Sequence, residues 1–374
     1  MSSQIFSHVE LAPSSWQQSA LQTDCKLHQL APYIGKLKPN IARHLLSNFT
    51  NRGDTILDCF AGSGTIPLEA ALLGRKVLAF DSNPYAINLT RAKLEAPRTL
   101  ILANERLKQT LDASKRRMRY DESQIPEWVR KFFHPETLQN ALRFCDECIE
   151  RSDNFLLACL LSVLHHQRPG FLSYPSSHLV PYLRDRKYSR EEFPDMYTER
   201  DLEPRLSAKI TRTYRDLEPA NRDNVITIEQ ISVEKLKLDR EVDAIVTSPP
   251  YMNALDYIRD NRLRMWFLDR NTQNYSPEPT DKANRFDDMT AAFADNAFKF
   301  LRSGGRCILV VGETVSRKRM TSHPAERLYQ RLLKQHPDLR LEHVIQDNIP
   351  DVRRSRKSGA ATKRELILVL QKAG

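Results

Sequence analysis

The chain has 374 residues, enough at ~100–200 residues per domain for about two domains or one large domain with an insertion. Its 57 Lys+Arg against 47 Asp+Glu give a net charge of +10, compatible with a polyanionic partner, and a hydrophobic share of 40 % excludes wholesale disorder. The longest apolar run, Phe155 to Leu164, is too short to span a bilayer, Met1 to Glu10 lack the pattern of a secretion signal, and six cysteines in so long a chain make no disulfide framework, so a reducing cytoplasm is the expected setting.

In chain order, Ile56 to Phe60 reads as a short buried strand and Ala61-Gly62-Ser63-Gly64-Thr65 as a tight turn. Ile66 to Leu73 reads as a helix ended by Gly74. Lys76 to Phe80 is a second buried strand, closed by Asp81, and Pro84 opens a helix running to Leu94. Strand, helix, strand, helix is the opening of a doubly wound α/β sheet. The middle segment, residues 96–223, carries helical patterns around Glu127–Glu150 and Asn154–His166 and a loop-rich part from Pro169 to Pro194. It reads as a mostly helical insertion. The alternation then resumes with a strand at Ala244–Thr247, helices at Leu255–Leu268 and Met289–Leu301, and a Gly304-Gly305 turn into the strand Cys307–Val311. A helix at Ala325–Gln335 precedes two strands, Leu341–Gln346 and Leu366–Leu370, joined by a basic loop and suited to an antiparallel hairpin at the sheet edge. The expected division is 1–95 for the N-terminal motif and first half of the α/β domain, 96–223 for the insertion, and 224–374 for the second half.

Two motifs carry chemistry. The first is Asp58-Cys59-Phe60-Ala61-Gly62-Ser63-Gly64-Thr65, where closely spaced glycines after a strand let backbone approach a ligand and the next helix offers free N–H groups. Asp81, closing the following strand, is placed to accept from two ribose hydroxyls. The plain alternative is a turn needed only for packing. The pattern is neither GxGxxG nor a phosphate loop, so a nucleoside without phosphates, such as S-adenosylmethionine, fits better than NAD or ATP. The second motif is Thr247-Ser248-Pro249-Pro250-Tyr251. Two prolines remove two N–H donors and leave a rigid row of acceptors, the Ser248 hydroxyl and the carbonyls around Pro249. Such a row suits a planar exocyclic amino group, and Tyr251 offers a face on which a base can stack.

DCFAGSGT followed by TSPPY resembles the S-adenosylmethionine-dependent amino-methyltransferases of DNA, which modify cytosine N4 or adenine N6. Pro32 to Pro39 is similar to the family's N-terminal cofactor-side motif, and the resemblance covers roughly residues 28–95 and 225–315. It implies a Rossmann-like methyltransferase sheet and S-adenosyl-L-methionine as cofactor. Lys38, Pro39, Asp58, Phe60, Gly62, Ser63, Gly64, Thr65, Asp81 and Ser82 would surround that cofactor, with Asp81 on the ribose. Ser248, Pro249, Pro250 and Tyr251 would hold a base flipped out of duplex DNA and align its amino lone pair for direct in-line transfer. Ser at the head of the second motif is the form associated with cytosine-N4 members, and as a weaker acceptor than a carboxylate it implies that deprotonation follows methyl transfer. Adenine N6 and an RNA amino group are the alternatives, since GSGTIPLEAALLG is also similar to enzymes acting on tRNA and rRNA. Cytosine-C5 chemistry is set aside because no Pro-Cys occurs. A nucleoid-associated cytoplasmic enzyme, with or without a cognate restriction endonuclease and with no membrane partner, is what this family implies.

Other candidates are weaker. Arg353, Arg354, Arg356 and Lys357 concentrate charge in one loop and read as a phosphate clamp or as a solvated loop. Tyr174, Ser177 and His178 in the insertion are placed to touch nucleic acid or merely punctuate a loop. Cys145 and Cys148 form a CxxC within a helical pattern without a second pair, which favours buried thiols, and no metal is expected. Trp266 reads as core.

Overall fold

The computed structural model describes residues 6, 8–16, 25–33, 35–166, 170–175, 189–215, 222–250, 261–270, 282–314, 323–349 and 362–374. The strands are β1 (Glu10–Leu11), β2 (Thr55–Asp58), β3 (Lys76–Phe80), β4 (Val225–Glu229), β5 (Val242–Thr247), β6 (Leu301–Thr314), β7 (Leu339–Asn348) and β8 (Thr362–Lys372). The helices are α1 (Pro39–Phe49), α2 (Thr65–Leu72), α3 (Pro84–Leu94), α4 (Leu100–Lys115), α5 (Glu127–Arg130), α6 (Pro135–Glu150), α7 (Asn154–Leu164), α8 (Leu202–Tyr214), α9 (Arg262–Leu268), α10 (Lys282–Ala292) and α11 (Pro324–Gln335).

The strands form one sheet in the order β1-β7-β8-β6-β5-β2-β3-β4. All neighbours are parallel except β8, which is antiparallel to both β6 and β7. The doubly wound reading with a terminal antiparallel hairpin therefore holds. One difference lies at the edge: β1 adds to β7, with Glu10 opposite Ile345, so the hairpin is flanked. Two residues are too few for a periodicity signal, which is why the sequence did not reveal this strand.

Alternating side chains send two apolar sets to opposite faces. Ile56, Val77, Ala79, Val246, Ile308, Val310, Ile367 and Val369 meet α1 to α4 and α6 to α9 on one face. Leu57, Leu78, Phe80, Ile245, Leu309, Leu366 and Leu368 meet Phe293, Phe298 and α11 on the other. The helices of the middle segment thus share a core with the sheet itself. Asp58 explains why β2 stops two residues earlier than its apolar run: its carboxylate takes the Phe60 N–H at 3.2 Å and turns the chain. Gly304 and Gly305 lie inside β6 rather than in a turn before it. They form a bulge, since Val242 pairs with Leu301 and Ala244 already pairs with Arg306. Gly305 has no alternative there, as a Cβ would sit 2.9 Å from the Asp243 carbonyl. The helix expected at Met289–Leu301 is the end of α10 followed by a π-turn over Phe293–Ala297 and a 3-10 turn over Phe298–Phe300.

Candidate active site

Three neighbouring strands, β5, β2 and β3, end side by side, and the space beyond their carboxyl ends is the candidate crevice. β2 has β3 on one side and β5 on the other, so the chain reverses its direction of progress across the sheet at that place. Open α/β sheets bind ligands outside the carboxyl ends of strands at such a reversal. Asp58 ends β2, Asp81 follows β3, and Ser248 follows β5.

The Gly-rich loop is braced from within. Ala61 N–H donates to the Phe80 carbonyl at 2.9 Å and Gly64 N–H to the Ala61 carbonyl at 2.8 Å. Asp81 Oδ2 accepts from Gly62 N–H at 2.9 Å and its Oδ1 from Asn83 N–H at 2.8 Å. Each oxygen keeps lone-pair capacity for a further donor. Burial pushes the Asp81 carboxyl up to about 6, against the pull of these backbone donors. The Asp58 carboxyl is pushed up to about 7 by burial, although Thr247 Oγ1 donates to its Oδ1 at 2.6 Å. Its second oxygen, Oδ2, is buried and has no hydrogen-bond partner among the described residues.

The two loop glycines have different reasons. Gly62 has φ +51°, and a Cβ there would meet Tyr33 Cε1 at 3.7 Å and the Phe60 carbonyl at 3.8 Å, both ordinary contacts. Gly64 has φ +71°, and its Cβ would lie 2.8 Å from the Thr90 Cα on α3. Gly62 therefore faces the Tyr33 side of the crevice, and Gly64 is where α2 and α3 touch. Ser63 and Thr65 are buried, their hydroxyls 3.1 Å apart. The Ser63 carbonyl accepts from the buried Lys93 ammonium, which desolvation holds down to about 7. Of these loop residues, Phe60 is half-buried and its ring lies 6.2 Å from that of Phe293. Ser82 is exposed, its carbonyl accepting from Gln230 Nε2 at 3.3 Å.

The N-terminal motif packs beside this loop. Lys38 Nζ donates to the Trp16 carbonyl at 3.0 Å and Pro39 begins α1, buried. Tyr85 Oη donates to the Pro32 carbonyl at 2.9 Å, and the Tyr33 and Tyr85 rings lie 6.0 Å apart. A buried cluster fixes the same segment onto α2: Glu69 Oε1 accepts from His28 Nε2 at 2.8 Å, and its Oε2 accepts from Arg43 Nε at 2.8 Å. Desolvation holds His28 down at about 4, so it is the neutral imidazole at pH 7.

At the second motif, Ser248 is half-buried, Pro249 buried and Pro250 exposed. Ser248 Oγ donates to the Val310 carbonyl on β6 at 3.2 Å. The hydroxyl has a single proton and that proton is engaged, so toward the crevice its oxygen is an acceptor. Tyr251 lies outside the described residues, as do Ser177, His178, Arg353, Arg354, Arg356 and Lys357. Tyr174 is 4 % exposed, its Oη directed at the Tyr197 carbonyl at 3.5 Å and its ring against Tyr197, so its side chain is part of the packing rather than of an outer surface. Cys145, Cys148 and Cys159 are buried thiols, with Cys145 Sγ donating to the Phe267 carbonyl, and no cluster among the described residues has the makings of a metal site. Trp266 is buried between Trp128 and Phe267.

Tyr33 and Lys93 lie against the Gly-rich loop without having been singled out from sequence, and Thr247, at the head of the second motif, bonds Asp58 without having been read as a site residue. Tyr33 stood inside the quoted N-terminal motif. Lys93 gives no sequence signal, because a lysine in the last turn of a helix ordinarily faces water and complements the dipole.

Residues 10–92 match the model of the N6/N4 methyltransferase family, described as DNA methylase. The Type II methyltransferase M.MjaII of Methanocaldococcus jannaschii is 32 % identical over 69 residues, which is 18 % of this chain and 13 % of that protein. The chain thus aligns with only a small part of that relative's length. Among solved structures, TrmN from Thermus thermophilus aligns over 93 % of this chain and 53 % of its own at 16 % identity and a TM-score of 0.35. The glycopeptide N-methyltransferase MtfA, solved with sinefungin, aligns over 92 % of this chain and 89 % of its own at 11 % identity and a TM-score of 0.36. Likenesses this distant carry no weight for the chemistry. The segment holding the N-terminal motif, the Gly-rich loop and Asp81 is the matched one, and over residues 10–92 the chain is similar to the DNA methylase family of amino-methyltransferases.

Proposed function

We propose that the protein transfers a methyl group from S-adenosylmethionine to the exocyclic amino group of a base flipped out of duplex DNA, with cytosine N4 as the target. The observation that carries this reading is the Ser248 hydroxyl, whose proton is engaged by the Val310 carbonyl, at the end of the strand adjoining Asp58. An amino group brings donors, and the motif answers with acceptors: Ser248 Oγ and the carbonyls of a segment from which Pro249 and Pro250 have removed two N–H groups. Held by its protons, the amine turns its lone pair outward, and positioning of this kind supplies most of the acceleration.

The residues of the first motif suit the cofactor. The buried Oδ2 of Asp58, without a partner among the described residues, is an acceptor that suits a cationic donor, which the methionine ammonium would provide. Asp81 retains acceptor capacity for ribose hydroxyls, and Gly62 leaves the Tyr33 side of the loop without a Cβ. When bound, the cofactor supplies an electrophilic methyl group on a sulfonium. A neutral Ser248 does not remove a proton from the amine, so on this reading proton loss to solvent follows methylation. A cytoplasmic, nucleoid-associated setting and pairing with a restriction endonuclease go with the proposal. Charge in the 353–357 loop would engage phosphates, making DNA binding fall steeply with salt.

The test is transfer of labelled methyl from S-adenosylmethionine to duplex DNA, tRNA and rRNA side by side, followed by mapping of the modified base. N4-methylcytosine in DNA is expected, with Ser248→Ala removing transfer while leaving cofactor binding in place. N6-methyladenine, or label only in RNA, would move the substrate to those alternatives. Full transfer by Ser248→Ala would remove Ser248 from the site.

A further inference from the structure

At the carboxyl ends of the cofactor-side and base-side strands, one side chain of each meets the other through a hydrogen bond. Thr247, wholly buried at the end of β5, donates its hydroxyl proton to Asp58 Oδ1 at 2.6 Å. The same oxygen accepts the Phe60 N–H at 3.2 Å, while Oδ2 has no partner among the described residues and Asp58 is 2 % exposed. Two successive hydroxyls therefore have opposite directions: Thr247 donates to β2 and Ser248 donates to β6.

We propose that Thr247 is a positioning residue. By holding Oδ1 it turns Oδ2 of Asp58 toward the ammonium group of the cofactor, and it makes the cofactor's seat depend on the strand that carries Ser248. This rests on the S-adenosylmethionine reading above. A carboxylate fixed at one oxygen and open at the other is pre-organised for a single charge-assisted hydrogen bond. Without the hydroxyl, Oδ1 keeps only the longer bond from Phe60, and the carboxylate is free to turn.

The ionisable groups facing Asp58 are Asp81, from the turn after β3, which opposes its ionisation, and the adjacent Cys59 thiol, which burial keeps neutral. Burial raises Asp58 to about 7, and the Thr247 hydroxyl is the first of the groups pulling the other way. Loss of that hydroxyl moves the ionisation of Asp58 to higher pH, and with it the rising limb of cofactor affinity.

The experiment is calorimetric titration of S-adenosylmethionine into the full chain from about pH 6 to about pH 8.5, a window set by an α-amino group that itself titrates near ~8. Thr247→Val is expected to weaken binding about tenfold at neutral pH and to shift the rising limb upward, and Thr247→Ser to restore both. Equal weakening at every pH, or no change, overturns the role of Thr247. Asp58→Asn keeps a partner for Thr247 but no charge, and should abolish the rising limb. Its persistence in that variant overturns the proposal even where Thr247→Val fails to fold. Absence of binding by the wild-type chain refutes the cofactor reading and this inference together. Binding by wild type with an unchanged Thr247→Val profile refutes the inference alone.

Discussion

Gly64→Ala tests whether the second loop glycine belongs to the packing or to the ligand. The residue has φ +71°, where a side chain costs ~1–2 kcal/mol. Its new Cβ would also stand 2.8 Å from both Cα and Oγ1 of Thr90. The hydroxyl can rotate away, but the Cα belongs to α3 and moves only with the helix, an overpacking cost of ~1–3 kcal/mol. The total is ~2–5 kcal/mol. A chain of 374 residues has an unfolding entropy of about 0.8 kcal/mol per degree, so the melting temperature should fall by about 3–6 °C. Gly62→Ala carries the φ cost alone, since its Cβ would meet Tyr33 at 3.7 Å, and should lower it by no more than about 1–3 °C. Cofactor affinity should show the reverse order, with Gly62→Ala the more damaging. Calorimetric melting without ligand and titration with S-adenosylmethionine measure the two quantities. Adding Thr90→Ala to Gly64→Ala should recover only part of the loss, because the Cα remains. Equal melting temperatures for Gly64→Ala and wild type would refute the packing account.

Two further outcomes follow from the buried charges. Glu69→Gln replaces the carboxylate that serves both His28 and Arg43 and should cost ~1.5–3 kcal/mol, the worth of a hydrogen bond to a charged group, read from denaturant unfolding. Burial pushes the Glu69 carboxyl up, but the hydrogen bonds from His28 and Arg43 outweigh it and hold the group below the usual carboxylate range, so its stabilisation is present above that range and lost as pH falls. Asp58 has the opposite sign: its folded-state value is raised to about 7, so in the absence of ligand it costs stability increasingly as pH rises from about 4 to about 7. The stability of Asp58→Asn relative to wild type should therefore grow between about pH 5 and pH 8, by roughly 3 kcal/mol. A difference independent of pH would show that Asp58 is not desolvated as described.

The motifs were legible because each packs a local conformational demand into adjacent residues. A buried strand ending in Asp58, a glycine turn and Asp81 at the next strand end read as a ligand loop, and the structure puts Asp58 on the Phe60 N–H and Asp81 on the Gly62 N–H. Ser248 and its two prolines announced an acceptor row for the same reason. The direction of the Ser248 proton was not legible, because Val310 lies 62 residues away on a strand paired only by folding. Tyr174 read as a contact to nucleic acid or as loop punctuation; it lies in a loop, and its ring is buried against Tyr197, a contact made only by folding.

The sequence by itself determined the doubly wound class and the places of the two motifs in it, since periodicity, glycine and proline positions and motif order are local properties. Tertiary structure alone decided that Gly64 is a contact point between helices, that Lys93 donates to the Ser63 carbonyl, that β1 flanks the terminal hairpin, and that Thr247 and Asp58 tie the ends of β5 and β2. Each of these depends on which strands and helices lie side by side. That order is fixed by burial of two apolar faces over the whole sheet and is not written in any short stretch of chain.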